Sequence, residues 1–130
     1  EKNIKVIVDL SKKLEILGNE SLLFSVFYNL FDNVIKYGGD HIEIKLSNYL
    51  EDKKYFYFAF ANTGSNIDEA HLARIFERFY RVDSSRQRNS KDGSGLGLSI
   101  VDAVMRAHGG DVTVASELGK GAAFTLRFKN

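Results

Sequence analysis

The sequence predicts an α/β two-layer sandwich (α+β in its segregation of helices), with a mixed β-sheet carrying three helices on one face. Two patterns predict it. Several short stretches alternate apolar with polar residues, the period of a strand with one wet face, and three others repeat their apolar residues at helical spacing. With a single apolar sheet face to cover, the helices share one side. A chain of 130 residues, 44% of them hydrophobic, holds one ordinary core, so residues 1–130 are expected to form one domain.

Ile4, Val6, Val8 and Leu10 alternate with Lys5 and Asp9, then Leu14 and Ile16 with Lys13 and Glu15, as two short strands would. From Glu20 the period changes. Leu23, Phe27, Leu30 and Val34 mark one face of a helix to Tyr37, with Asn19 as its N-cap and Gly38-Gly39 ending it. Ile42, Ile44 and Leu46 form the next strand; the charged turn Glu51-Asp52-Lys53-Lys54 leads into Tyr55–Ala61, where Phe56, Phe58 and Phe60 share one side, making a hairpin. A short helix is expected from Asp68 to Arg78, with Leu72, Ile75, Phe76 and Phe79 as its stripe and Asn66 and Glu69 resembling a capping box. Residues 81–92 bury almost nothing and read as a mobile lid. A third helix runs from Leu96 to Ala107 and is closed by Gly109-Gly110. The chain ends in a hairpin of Val112 and Val114 against Phe124, Leu126 and Phe128, turning at Gly119 and Gly121.

Composition narrows the function. The chain has no Cys, which excludes disulfides and thiolate metal sites, and a formal net charge of +1, which disfavours a general nucleic-acid binder. No apolar run reaches the length of a membrane span, and the N-terminus carries neither Met nor a signal peptide, as expected of a piece of something longer.

The most informative stretch is Lys91-Asp92-Gly93-Ser94-Gly95-Leu96-Gly97-Leu98-Ser99-Ile100, in which three alternate glycines run from a polar loop into a helix. Glycine lets backbone N–H groups approach an anion, and the positive end of the helix adds a favourable field. The expected ligand is a nucleotide. The spacing GxGxG is neither the GxGxxG of dinucleotide folds nor a P-loop. Read alone, the same glycines also fit a helix start with no ligand.

On the first helix Asn29, Asn33 and Lys36 lie at i, i+4 and i+7 beside Tyr37, opposite Phe27, Val34 and Ile35, and are expected to face away from the packing surface. Amide oxygens can complete the shell of Mg²⁺, a lysine can meet phosphate, and a tyrosine can flank base or ribose. Taken alone, a solvated helix face is the better reading of this stripe.

Five segments in order, Asn29-Leu30-Phe31-Asp32-Asn33-Val34-Ile35-Lys36-Tyr37, Asn62-Thr63-Gly64, Ile75-Phe76-Glu77-Arg78-Phe79-Tyr80-Arg81, Gly93-Ser94-Gly95-Leu96-Gly97-Leu98 and Gly119-Lys120-Gly121, resemble the boxes of the sensor histidine kinase ATP-binding domain. The resemblance covers essentially the whole chain. It implies the Bergerat fold shared with gyrase, the Hsp90 chaperones, MutL and the anti-sigma-factor kinases, and transfer of the γ-phosphate of Mg–ATP to a histidine on a partner domain. It also implies that Asn33 is a Mg²⁺ ligand helped by Asn29, Lys36 a phosphate contact, Tyr37 a wall of the site and Arg81 the lid cation that reaches the γ-phosphate. Asn62, Gly64, Ile67, Tyr80, Gly93, Gly95, Leu96, Gly97 and Leu98 complete the nucleotide contacts it implies, with a lid over residues 80–94; Phe76 and Phe79 read as the lid's core anchor. Asn62 replaces the family's usual Asp at the adenine, and Asn66 a usual glycine.

His41, His71 and His108 do not resemble the family's phosphoacceptor, and His108 ends the third helix, where a partial positive charge would suit the helix dipole. The implied partners are the chain's own dimerisation and phosphoacceptor domain and a response regulator. The parent would be a dimeric, membrane-bound bacterial sensor, with this part monomeric and cytoplasmic. A clamp-type ATPase would need a carboxylate where Asn29 stands. A serine kinase of the anti-sigma-factor type and a degenerate nucleotide-sensing module are the alternatives.

Overall fold

The computed structural model describes residues 3–10, 18–37, 41–50, 54–64, 69–72, 74–78, 97–117 and 121–129. Five strands, β1 (Asn3–Asp9), β2 (His41–Leu50), β3 (Tyr55–Asn62), β4 (Asp111–Glu117) and β5 (Gly121–Lys129), form one sheet in the order β1-β2-β3-β5-β4. Helices α1 (Glu20–Tyr37), α2 (Glu69–Leu72) and α3 (Gly97–Ala107) complete the described elements. β1 pairs parallel with β2 across the α1 crossover, and the remaining pairs are antiparallel, so the sheet is mixed as expected.

Alternation decides which sheet face is dry. Phe56, Phe58 and Phe60 of β3 are buried, and register sets them opposite Phe128, Leu126 and Phe124 of β5, with Phe56 stacked on Phe128 at 5.3 Å. α1 lies along β3: Phe27 meets Phe58 edge-on at 5.2 Å, and Phe31 meets Phe60 at 5.0 Å. Val101 and Met105 of α3 fill the same core, each with no exposed surface. On the open face Arg127 forms an ion pair with Asp111 at 2.6 Å and lies 4.3 Å over the Tyr55 ring.

Two expectations need correction. The second helix is short: after α2 the backbone makes tight turns, with Arg74 N–H bonded to His71 O at 3.0 Å and Glu77 N–H to Arg74 O at 2.9 Å. These three-residue bonds let Ile75 bury while Phe76 meets Phe124 edge-on at 6.2 Å. The buried stripe of α1 is also rotated from the expected one. Val26, Leu30 and Val34 are its centre, while Ile35 is 41% exposed on a flank shared with Phe24 and Tyr28. The cause is α3, which packs against the Asn29 flank of α1 and leaves the opposite flank uncovered. Ile4, Val6 and Val8 of the edge strand β1 are likewise exposed. The expected strand at Leu14–Ile16 lies outside the described residues.

Candidate functional site

The start of α1 is set by its cap. The Asn19 side-chain oxygen accepts the Leu22 N–H at 3.0 Å, and the Asn19 carbonyl accepts that of Leu23 at 2.9 Å, so the predicted N-cap is in place. From there α1 keeps pace with β3. Four helical residues advance about 6 Å and two strand residues about 6.6 Å, so Phe27 over Phe58 is followed by Phe31 over Phe60. The following turn of α1, with half-buried Asn33 and buried Val34, therefore runs toward the end of β3 that carries Asn62.

Asn62 is the buried polar residue of the described chain, 7% exposed, and its side-chain N–H donates to the Thr63 carbonyl at 2.9 Å. A buried amide is costly unless its polar atoms find partners, which makes Asn62 a candidate for recognising something polar. Thr63 ties this end to β2, donating N–H to Glu43 O at 2.9 Å and accepting the Glu43 N–H on its hydroxyl at 2.8 Å. Gly64 comes next, exposed and with φ 102°. Gly121 is equally specific: at φ 100°, a Cβ there would stand 2.0 Å from the Asn62 carbonyl. Its sequence pattern predicts only a hairpin turn. That it also makes room for the Asn62 backbone is a second role, which no local pattern reports because the approach comes from another strand.

α3 runs antiparallel to α1, with the Asn19 amide against His108 at one end and Asn29 against Gly97 at the other. The Asn29 side-chain N–H donates to Ser25 O at 2.7 Å, which turns its oxygen toward Gly97, 3.0 Å from where a Cβ would sit. Asn29 thus faces a packed neighbour and not open solvent, a second departure from the expected polar stripe. Gly97 admits that amide to the N-terminal end of α3, where the positive helix end favours an anion. Leu98 is buried in the core, so what it can offer a ligand is its backbone. Lys36 forms an ion pair with Asp32 at 3.0 Å. Among the described residues no three His, Cys, Asp or Glu side chains converge, and the oxygen donors on this flank are the amides of Asn29 and Asn33.

The structure therefore brings Asn29 to Gly97, on the flank of α1 that also carries Asn33. The Tyr37 side chain, Ile67, Phe79, Tyr80, Arg81, Gly93, Gly95, Leu96 and the expected lid over 80–94 lie outside the described residues, as do Asn66, Gly119 and Lys120. His108 departs from its expected cationic role: Nδ1 lies 2.8 Å from the Val104 carbonyl and Nε2 accepts the Asn19 N–H at 3.1 Å, the bonding of a neutral ring. No described helix is long and apolar enough to cross a membrane.

A two-layer sandwich with an amide-bearing first helix laid against the N-terminal end of the last defines a nucleotide-binding class. The chain belongs to the family of histidine kinase-, DNA gyrase B- and HSP90-like ATPases, whose profile matches residues 18–130. Within that family it is similar to sensor proteins and to sensor histidine kinases. The phosphate regulon sensor protein PhoR of Pseudomonas aeruginosa is 39% identical over 98% of this chain, and sensor protein SrrB of Staphylococcus aureus 43% identical over 78%. The chain spans 28% of the length of the first and 17% of the second. The mycobacterial sensor histidine kinase MprB superposes with a TM-score of 0.83 at 27% identity, covering 97% of this chain and 83% of that one. Full-length ShkA, solved in complex with AMPPNP, superposes at 0.78 with 32% identity over 96% of this chain and 25% of its own.

Proposed function

We propose that this chain binds Mg–ATP between α1 and the N-terminal end of α3 and passes the γ-phosphate to a histidine on a dimerisation domain outside it, from which a response regulator is phosphorylated. The observation that carries this reading is the antiparallel placement of α1 and α3, which sets the Asn29 amide oxygen beside Gly97 at the N-terminal, positive end of α3. Such an arrangement suits a cation and the polyphosphate that accompanies it. The neighbour solved with AMPPNP supports it.

The donor set fits Mg²⁺, a hard ion that takes a few protein oxygens and completes its shell with phosphate and water. Asn33, helped by Asn29, would hold the ion, which neutralises charge on the β- and γ-phosphates when bound. Asn62 would pair with the adenine edge, and Tyr37, Gly64, Ile67 and Tyr80 would border base and ribose. Lys36 would leave Asp32 for phosphate. The amides of Gly93, Gly95, Leu96, Gly97 and Leu98 would cradle the phosphates, with Arg81 of the proposed lid at the γ-phosphate. Asn29, an amide, cannot take a proton from water, so this chain favours transfer to a supplied nucleophile over hydrolysis. The parent protein would be a membrane-bound bacterial sensor with this domain in the cytoplasm.

Calorimetry tests the reading: ATP should bind in the presence of Mg²⁺, and Asn33→Ala should abolish the Mg²⁺ dependence. A variant with unchanged dependence removes Asn33 from the site.

A further inference from the structure

The two contacts between α1 and α3 lie at opposite ends of one antiparallel pair. Asn29 and Gly97 meet at the proposed nucleotide end, and Asn19 and His108 at the other, ten or eleven residues and about 16 Å away. Between them the helices present apolar side chains, Val26 from α1 and Val101 and Met105 from α3. Apolar packing is non-directional and does not by itself set how far one helix slides along the other. A hydrogen bond does.

His108 is built to make that bond. Its backbone is held by the end of α3, where Gly109, at φ 79°, donates to Arg106 O at 3.0 Å and Gly110 donates to Met105 O at 2.9 Å, the paired bonds of a Schellman motif. A Cβ at Gly110 would stand 1.9 Å from the Arg127 carbonyl, which seats the motif on β5. The Val104 carbonyl can only accept, so Nδ1, 2.8 Å from it, carries the ring proton and Nε2 keeps its lone pair. That lone pair takes the Asn19 N–H at 3.1 Å. Gly18 is matched to the ring: a Cβ there would stand 2.4 Å from His108 Cδ2 and 2.7 Å from Nε2.

We propose that His108 is a positioning residue for the nucleotide site: as the Nδ1-protonated neutral ring it clasps the start of α1 to the end of α3 and so sets the register in which Asn29 meets Gly97. The proposal rests on the Mg–ATP reading for its effect on binding, but its geometry is measurable without nucleotide.

Two substitutions divide the ring's bonds. In His108→Gln the amide oxygen reaches about as far as Nε2 and can still accept the Asn19 N–H, whereas His108→Asn reaches only as far as Nδ1. Gly18→Ala attacks the same contact from α1's side and serves if His108→Asn does not fold. In nucleotide-free protein, nitrogen NMR should find Nδ1 protonated. The Gly97 amide signal should move in His108→Asn and Gly18→Ala but not in His108→Gln. Mg–ATP affinity should fall about twofold to tenfold in the first two variants, the worth of one neutral hydrogen bond, and stay within about twofold of wild type in the third. A ring protonated at Nε2, or folded His108→Asn with an unmoved Gly97 signal and wild-type affinity, overturns the clasp. If the wild type binds no Mg–ATP, the nucleotide reading fails and the Gly97 signal decides the clasp.

Discussion

At single residues the site depends as much on missing side chains as on polar ones. Gly121 has a left-handed φ and no space for a Cβ against the Asn62 backbone, so Gly121→Ala should lose at least about 2 kcal/mol in urea unfolding, from backbone strain plus displacement of the end of β3. Asn62 presents a subtler case. Its side-chain N–H is bonded to Thr63 O, so in the proposed site its oxygen would be the group that reads a base edge. Asn62→Ala should weaken ATP binding by about 0.5 to 1.5 kcal/mol and erode the preference for adenine over guanine, as competition binding with GTP would measure. Full affinity and selectivity in the variant would place the base contact elsewhere.

Among the elements, α1 carries most of the local information and most of the load. Its cap is a side-chain hydrogen bond to the third helical residue, and Asn19→Ala should cost about 1 kcal/mol of stability while keeping the backbone N–H that His108 accepts. Leu30, fully buried in the core, should cost about 2 to 5 kcal/mol on conversion to Ala, measured by thermal or urea unfolding. α1 and α2 contrast in length. α1 has eighteen residues with an apolar stripe over several turns, whereas α2 has four, and the backbone beyond its end is shaped by Ile75 and Phe76 finding the core. A long stripe predicts its own helix; a short one yields to what it packs on.

For the whole molecule, the proposed reaction is divided between domains. The proposed Mg–ATP site has an amide where water would need a base, and His108 has both ring nitrogens engaged within the fold. Incubated with Mg–ATP, it should neither label itself nor hydrolyse ATP quickly, yet it should phosphorylate its separately supplied dimerisation domain. The product should be acid-labile and base-stable, as an N-linked phosphate is. An acid-stable ester would assign the chain to the serine kinases.

Much of this is legible along the chain. The alternation of Phe56, Phe58 and Phe60, the helical stripe of Leu23, Leu30 and Val34, the Asn19 cap and the glycines closing α3 each express a rule acting over a few residues, and each element stands where those rules put it. Asn29 and Asn33 stand out as amides one helical turn apart, whereas Asn62 stands out only through the resemblance to a known family. Local rules cannot say which surfaces meet. The exposure of Ile35, the turn of Asn29 toward Gly97, the room Gly121 leaves for Asn62 and the seating of His108 on Gly18 all arise where distant segments touch. Periodicity sorts residues onto faces. Which face is covered, and by what, is decided only when α3 comes to lie beside α1, because burial belongs to the pair of surfaces and not to either sequence alone.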